Sequence, residues 1–327
     1  SPKATVCQFL QRRLASSAAS VRPSAAEVRD QRSALFSLEQ ARQRALYPRT
    51  EKIEVTLQKA GLQSTLLGST CGFSALALVD GKPWPLHQPL TQSCSLSLLT
   101  FKDTDPLLVN QAYWRSCAAH LCQVLQDFFK EDLHLHLHLI TSGAFCCDVV
   151  LDPQLDTWNP SEESLRSLTR GAQQQIHRDL PWEPLEVARY FISIPSQEEV
   201  EKSAQSPKGT VMLYRCGDHV LLSGGPLVAR TGRCAQYEVT AIHPLGEGEW
   251  GLHRRAQGLS LPLQLQAHHT VWRKLRSRAE NLVEVPTGSA NEAVSDTLTP
   301  PSARVGEKRG TEPTLLHLLK IKWDIGL

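Results

Sequence analysis

The chain has 327 residues, with 35 lysines and arginines against 33 aspartates and glutamates, for a formal net charge of +2. This length exceeds one typical domain, so we expect two folded units with flexible ends. Hydrophobic residues make up 41% of the chain, and no run approaches the roughly 20 apolar residues of a membrane-spanning helix, so a soluble protein is expected. The net charge is too small to indicate a nucleic-acid partner, and charge has to be considered locally.

The first 24 residues have the composition of a mitochondrial transit peptide. This arm contains five serines and no acidic residue, and its basic residues are Lys3, Arg12, Arg13 and Arg22. A basic arm without acidic residues is drawn toward a negatively charged compartment. We therefore expect a disordered, transit-like arm over 1–24, with an ordinary disordered tail as the alternative.

A helix is predicted over residues 25–46, within an N-terminal segment that runs to residue 49. Ser24 can cap this helix, and Glu27 stands three residues later as in a capping box. Apolar residues then recur at helical spacing until Pro48, which ends the helix. The opposite face is rich in arginine and is expected to face either water or phosphates.

Residues 50–105 contain short strand-like runs at 52–57, 75–84 and 93–101. Asp80-Gly81 predicts a hairpin, because glycine tolerates the positive φ of a tight turn and the flanking runs are rich in β-forming residues. A small β-rich domain is therefore predicted.

Residues 106–284 mix helices and strands. The predicted elements, in chain order, are a helix over 106–130, strand-like alternation over 133–152, helices over 161–178 and 184–191, two strands around Gly217-Asp218, a strand over 234–245 and a closing helix within 261–284. This mixed order indicates an α+β fold. Residues 285–327 are rich in Pro, Gly, Ser, Thr and charge, and are predicted to be disordered.

Several of these runs resemble the N-terminal half of threonyl-tRNA synthetases. KIEV, ALALVDGKPW and PLTQSCSLSLLTFKD resemble its β-grasp (TGS) domain, although the stretch between Val55 and Ala75 is shorter than that pattern requires. SGAFCCDVVLD, YRCGDHVLLSGGPLVARTG and WGLHRRAQGLSLP are similar to segments of the adjoining editing domain. The resemblance implies a TGS-like domain over 50–105 followed by an editing-like α+β domain over 106–284.

The resemblance also implies that the editing chemistry has been lost. The family holds a His-x-x-x-His pair on the first helix of the editing domain and a Cys-x-x-x-His pair on a later segment, and these positions are Arg115, Ala119, Ser223 and Leu227 here. Ala119 and Leu227 offer no donor or ligand atom, and Arg115 stays protonated. His120 lies about 100° further round the helix, so a packing or surface role is expected. No aminoacylation domain is expected, since only the biased tail follows Val285.

This truncated and substituted pattern resembles a protein family of the animal mitochondrial large ribosomal subunit, with AYWRSC, SGAF, DVVLD and ALVDG as the shared runs. That resemblance implies a catalytically inert structural protein of the mitochondrial matrix, whose partners are large-subunit rRNA and neighbouring ribosomal proteins. It implies no cofactor and no small-molecule substrate. Two alternatives stay open, namely a tRNA-binding or synthetase-associated regulatory protein and a free-standing deacylase of mischarged tRNA.

Other possible sites are weaker. His134, His136 and His138 lie on one face of a predicted strand, but a solvent-facing row is favoured over a zinc site. The nine cysteines show no CxxC pair, so neither a zinc ribbon nor a disulfide framework is predicted. SGGPLV lacks the Lys-Ser/Thr ending of a phosphate loop.

A basic segment without acidic residues lies between Glu249 and Glu280. Its candidate RNA-binding residues are Arg254, Arg255, Arg273, Lys274, Arg276 and Arg278. Such a cluster can neutralise phosphates without sequence specificity. A solvated helix face is the alternative.

Overall fold

The computed structural model describes residues 24–46, 52–57, 74–129, 133–137, 144–188, 210–248 and 251–285. These residues form four α-helices and three sheets, in a mixed order that confirms the α+β class. The transit-like arm at 1–23 and the tail at 286–327 lie outside the described residues. None of the described helices is long and apolar enough to cross a membrane.

Helix α1 spans Ala25–Ala45, which confirms the predicted N-terminal helix. The capping box is present: the Glu27 amide donates to Ser24 Oγ at 3.3 Å, and the Ser24 amide donates to Glu27 Oε2 at 2.9 Å. Phe36 is the buried apolar anchor of this helix.

The first sheet contains β1 (Val55–Leu57), β2 (Leu76–Val79), β3 (Lys82–Trp84) and β4 (Cys94–Leu99), in the order β1-β4-β2-β3. Strand β1 pairs with β4 in parallel, and the other two pairs are antiparallel. The predicted hairpin is confirmed, with Asp80 at φ 49° and Gly81 at φ 77° in the turn between β2 and β3. The shortened stretch noted above falls largely on residues 58–73, outside the described part.

The second sheet is antiparallel and packs against a long helix. Its strands are β5 (His134–Leu137), β6 (Ala144–Val150), β10 (Gln236–Gly248) and β11 (Gly251–Leu261), in the order β10-β11-β6-β5. Helix α2 (Leu107–Phe129), helix α3 (Glu162–Arg178) and helix α4 (His269–Ala279) accompany this sheet. The largest hydrophobic cluster of the described residues lies between α2, α3 and this sheet.

The third sheet consists of β7 (Glu183–Ala188), β8 (Thr210–Cys216) and β9 (His219–Ser223), all antiparallel. One face packs on Phe36 of α1, and the other packs on Ala119 of α2. This sheet therefore joins α1 to the long helix and brings β9 beside α2.

Two element predictions were wrong. The predicted helix over 184–191 is strand β7 as far as Ala188, because Leu185 and Val187 alternate with exposed Glu186 and pair with β8. The closing helix starts at His269 rather than near Leu261, because β11 runs to Leu261 and Pro262 leads into a short 3-10 turn.

Candidate functional site

The four positions that hold editing residues in the synthetase family come together in this fold. Arg115 and Ala119 lie one turn apart on α2, Ser223 ends β9, and Leu227 follows four residues later. Arg115 Nε donates to the carbonyl of Pro226 at 3.3 Å, which fixes the loop after β9 against α2. The four positions therefore lie close together, around the middle of α2 and the loop after β9.

Half of this site is filled by apolar packing. Ala119 and Leu227 are 0% and 2% exposed, and they share a hydrophobic cluster with Trp182, Tyr214 and Cys216. None of these side chains is a base at neutral pH, since burial raises the pKa of Cys216 to about 11 and that of Tyr214 further still. The Tyr214 hydroxyl instead accepts a hydrogen bond from the Leu227 amide at 3.3 Å. Ala119 and Leu227 are therefore both closed to solvent within this cluster.

Arg115 occupies the remaining half as a fixed cation. A Cβ placed on Gly225 would lie only 2.6 Å from Arg115 Nη1, so the guanidinium packs directly against the Gly225 backbone. Burial lowers the pKa of Arg115 to about 10, and the side chain is therefore still protonated at neutral pH. A permanent cation at this position cannot accept a proton from water.

Ser223 is held by its own loop. Its hydroxyl donates to the carbonyl of Gly225 at 2.8 Å, rather than to a basic side chain. A serine without an adjacent base is a weak nucleophile. Ser223 therefore shapes the loop that Arg115 also contacts.

His120 has the packing role that its position on α2 predicts. It is 1% exposed, its Nε2 lies 3.0 Å from the carbonyl of Ala172 in α3, and its ring meets Tyr237 edge to face at 5.3 Å. Burial lowers the pKa of His120 to about 4, so the ring is neutral at physiological pH. It faces α3 rather than the loop that carries Ser223.

The structure separates the six candidate RNA-binding residues into two groups. Arg254 is buried and donates to the carbonyls of Leu155 and Asp156 at 2.9 and 2.8 Å. Arg255 is also buried and makes two hydrogen bonds to Asp148, at 2.7 and 2.8 Å. Both guanidinium groups therefore support the fold rather than face a partner.

The other four candidates lie on α4. Arg276 forms an ion pair with Glu238 at 2.6 Å. The exposed residues Arg273, Lys274 and Arg278 point away from the sheet, and no ion pair joins them to another described residue. We call Arg273, Lys274 and Arg278 the α4 basic face.

Within the described ranges, no set of side chains is arranged as a metal site or as a reactive thiol. No three His, Cys, Asp or Glu side chains there are grouped so as to hold a metal ion. His134 and His136 lie in β5, but their side chains and all of His138 fall outside what the structure describes. The seven cysteines in the described part are free thiols, and burial raises the pKa of Cys146 to about 12.

Sequence reasoning missed Trp182 and Tyr214, the two aromatic residues that fill the site. The sequence predicts a helix directly after Trp182, and such a helix gives no reason for the Trp182 side chain to pack against α2. The apolar alternation of Met212, Tyr214 and Cys216 in β8 could have placed Tyr214 on the inner face.

Comparison with known proteins gives two kinds of relatives. No family model matches the sequence. Cytoplasmic threonine–tRNA ligase 2 of Homo sapiens is 25% identical over 215 residues, which cover 64% of this chain and 25% of the ligase. Probable cytoplasmic threonine–tRNA ligase 1 of Dictyostelium discoideum is 27% identical over 55% of this chain and 25% of its own length. This chain thus spans about a quarter of these ligases.

The second kind of relative matches over most of its length. The large ribosomal subunit protein mL39 of Drosophila melanogaster is 37% identical over 278 residues, which cover 76% of this chain and 83% of the relative. The ligases, by contrast, match at lower identity and over about a quarter of their own length. With identity this high over most of both sequences, the chain belongs to the mL39 family of large ribosomal subunit proteins.

Proposed function

We propose that this chain is a structural component of the mitochondrial large ribosomal subunit in the matrix, and that it catalyses no reaction there. The mL39 relative supports the assignment to the subunit. The observation that carries the second part is the burial of Ala119 and Leu227 in one apolar cluster, beside a protonated Arg115. An ester-hydrolysing site needs a base and room for water, and this arrangement provides neither.

The proposed domain organisation follows the synthetase resemblance. Residues 50–105 form a TGS-like β-grasp domain, which the parallel pairing of β1 with β4 beside the β2–β3 hairpin supports. Residues 106–284 form the editing-like domain without its active-site ligands. Residues 25–49 serve as an N-terminal helical segment, whereas the transit-like arm over 1–24 and the tail over 285–327 lie almost entirely outside the described residues.

The α4 basic face is the proposed rRNA contact. Arg273, Lys274 and Arg278 are exposed on one side of a surface helix, where cations can approach phosphates without first breaking an ion pair. Lys274 and Arg278 lie one turn apart, so both can follow the same phosphate backbone. Arg276 ties α4 to β10 through Glu238, and Arg255 holds the segment after α4 through the carbonyl of Val283.

Sedimentation of mitochondrial lysate on a sucrose gradient tests the assignment to the ribosome. The full chain is expected to migrate with the large subunit and to leave that position when the subunit is dissociated. A pool that migrates near the 36.3 kDa mass of the chain, with none in the large subunit, would contradict the proposal.

A deacylation assay tests the proposed lack of catalysis. Purified full chain is expected to hydrolyse Ser-tRNA(Thr) no faster than buffer does, because no base among the described residues faces the loop of Ser223. Turnover that Arg115→Ala abolishes would show that the site is active. The similarity to threonine–tRNA ligases favours a tRNA-binding regulatory protein as the second candidate, and that candidate predicts a free pool bound to tRNA on the gradient.

A further inference from the structure

Arg115 is a partly buried cation that pairs with no carboxylate of the described residues. Its hydrogen bond within this part of the chain runs from Nε to the carbonyl of Pro226. Nη1 and Nη2 have no partner among the described residues, yet neither nitrogen is closed off from solvent. Burial lowers the pKa of Arg115 to about 10, because the surroundings remove water from the charge and supply no carboxylate in return.

The loop after β9 fixes the position of this guanidinium. Ser223, Gly224, Gly225 and Pro226 all reach the surface beside α2. A Cβ placed on Gly225 would lie 2.6 Å from Arg115 Nη1 and 3.2 Å from Nη2, so both nitrogens lie against the bare backbone of this glycine. A guanidinium held in this way loses little freedom when it binds a carboxylate through two parallel N–H bonds.

Arg115 ends a narrow exposed stripe along the first half of α2. The side chains that reach the surface between Leu107 and Ala119 are Leu107, Leu108, Gln111 and Arg115, at spacings of three and four residues. We call these four residues the α2 stripe. Leu107 is 55% exposed, and the Gln111 amide has no described partner and is open to solvent. The α2 stripe therefore places an apolar end, a neutral amide and a cation in a row of about 12 Å.

The charge of this surface favours one carboxylate over an RNA backbone. Arg115 is the only lysine or arginine of α2, and the run from His219 to Leu227 contains neither. An RNA strand carries a phosphate at every nucleotide and is held by several cations at once. A single guanidinium beside an apolar end instead suits one acidic side chain that has an apolar neighbour. The α4 basic face, with three exposed cations, stays the proposed rRNA contact.

We propose that the α2 stripe is a docking site for an acidic segment of a neighbouring protein, in which one aspartate or glutamate forms a bidentate ion pair with Nη1 and Nη2 of Arg115. The Gln111 amide donates a further hydrogen bond to this segment, and an apolar residue of the segment covers Leu107. The inference rests on the proposed function, because it takes the neighbour to be another protein of the large subunit.

Photocrosslinking from Leu107 tests this proposal. The full chain, with a benzophenone amino acid in place of Leu107, is delivered to mitochondria and irradiated, and the crosslinked peptides are identified by mass spectrometry. We expect one segment of another protein that contains an aspartate or glutamate. A crosslink to RNA, a crosslink within the chain, no crosslink or a segment without an acidic residue overturns the proposal.

Substitutions of Arg115 test the ion pair itself. Arg115→Gln should reduce the crosslink by about tenfold or more, because the partner carboxylate loses its counter-charge. Arg115→Lys keeps the charge without the planar fork, and an intermediate yield is expected. Arg166→Gln is the matched control, since it removes the same charge from an exposed arginine of α3 that already pairs with Glu162, and the yield should stay within about twofold. Equal yields in Arg115→Gln and Arg166→Gln overturn the proposal.

A charge swap separates a lost contact from a folding defect. Arg115→Glu should abolish the crosslink, and arginine in place of the acidic residue of the identified segment should restore it. A change in another protein would not repair a folding defect of this chain. Failure to restore the crosslink, in a chain that keeps its circular dichroism spectrum, overturns the proposal. If Arg115→Glu loses that spectrum, the comparison of Arg115→Gln with Arg166→Gln decides.

Sedimentation separates this proposal from the proposed function. The crosslink is scored in whichever gradient fraction contains the chain. If the unsubstituted chain is absent from the large subunit but crosslinks to an acidic segment that responds to the charge swap, the ribosomal assignment fails and the docking site stands. If the chain is in the subunit and Arg115→Gln leaves the crosslink unchanged, the docking site fails alone.

Discussion

The Asp148–Arg255 ion pair is a largely buried contact between two strands of the second sheet. Asp148 in β6 and Arg255 in β11 are cross-strand partners, and their side chains are only 12% and 11% exposed. The hydrogen bonds to Asp148 raise the pKa of Arg255, and Arg255 Nη1 also donates to the carbonyl of Val283 at 2.7 Å. Loss of one partner would leave the other charge buried without compensation.

Asp148→Ala is accordingly expected to lower the free energy of unfolding by about 3 kcal/mol, since it leaves Arg255 buried and unpaired. Urea unfolding of the purified full chain, followed by circular dichroism, measures this change. Glu162→Ala is the matched control, because its pair with Arg166 is 67% and 64% exposed and should contribute less than about 1 kcal/mol. Equal losses in the two variants would show that the buried pair has no special weight.

Arg254 and Arg255 also show where sequence reasoning fails for single residues. Adjacent residues of a strand point to opposite faces, so a strand at the surface would leave one of the two exposed. Strand β11 lies between β10 and β6, and its burial from Arg254 to Leu261 is continuous because both faces are covered. The basic residues can be identified from the sequence, but their burial cannot, because it follows from the pairing of β11 with the distant strands β6 and β10.

At the scale of elements, helices were easier to predict than strands. Helix α3 begins after Ser161, whose side chain accepts from the Ser164 amide, and the local capping pattern was enough to locate it. Strand β7 stands where the sequence predicts a helix, because its alternation is short and its partner β8 begins 22 positions after its end, at Thr210. Local capping signals are contained in the sequence, whereas strand pairing is decided by tertiary contacts.

The α4 basic face predicts how RNA binding depends on a single helix. Lys274→Gln combined with Arg278→Gln should weaken binding of the full chain to large-subunit rRNA and reduce the dependence of log K on log salt by about 1.5, since each lost phosphate contact removes roughly 0.7–0.9. Filter binding across a potassium chloride series measures the slope.

Arg166→Gln combined with Arg170→Gln is the control for that experiment. It removes the same net charge from α3, where both arginines already pair with Glu162 and Glu163. The slope should change much less in this control. Equal changes in both double variants would mean that net charge, rather than the α4 basic face, governs RNA binding.

At the scale of the whole molecule, helix α2 connects the second sheet and α3 on one side with the third sheet, and through it with α1, on the other. Its one side packs against β6 and α3, and Ala119 reaches the third sheet, which in turn holds α1 through Phe36. His120 lies at the crossing of α2 and α3. A change in the charge of this one ring should therefore affect the stability of the chain as a whole.

The stability of the full chain is expected to fall between pH 6.5 and pH 4, because the pKa of His120 is lowered by burial from 6.5 to about 4 in the native state. In this window the unfolded chain binds a proton that the folded chain does not. The free energy of unfolding therefore falls by up to about 1.4 kcal/mol per pH unit, and by about 3 kcal/mol in total.

His120→Gln keeps an N–H donor for the Ala172 carbonyl but cannot titrate. Urea unfolding measured at several pH values should therefore show a flatter profile for this variant between pH 6.5 and pH 4. The exposed His177→Gln should leave the profile unchanged. A profile that stays equally steep between pH 6.5 and pH 4 in His120→Gln would contradict the assignment of this acid sensitivity to His120.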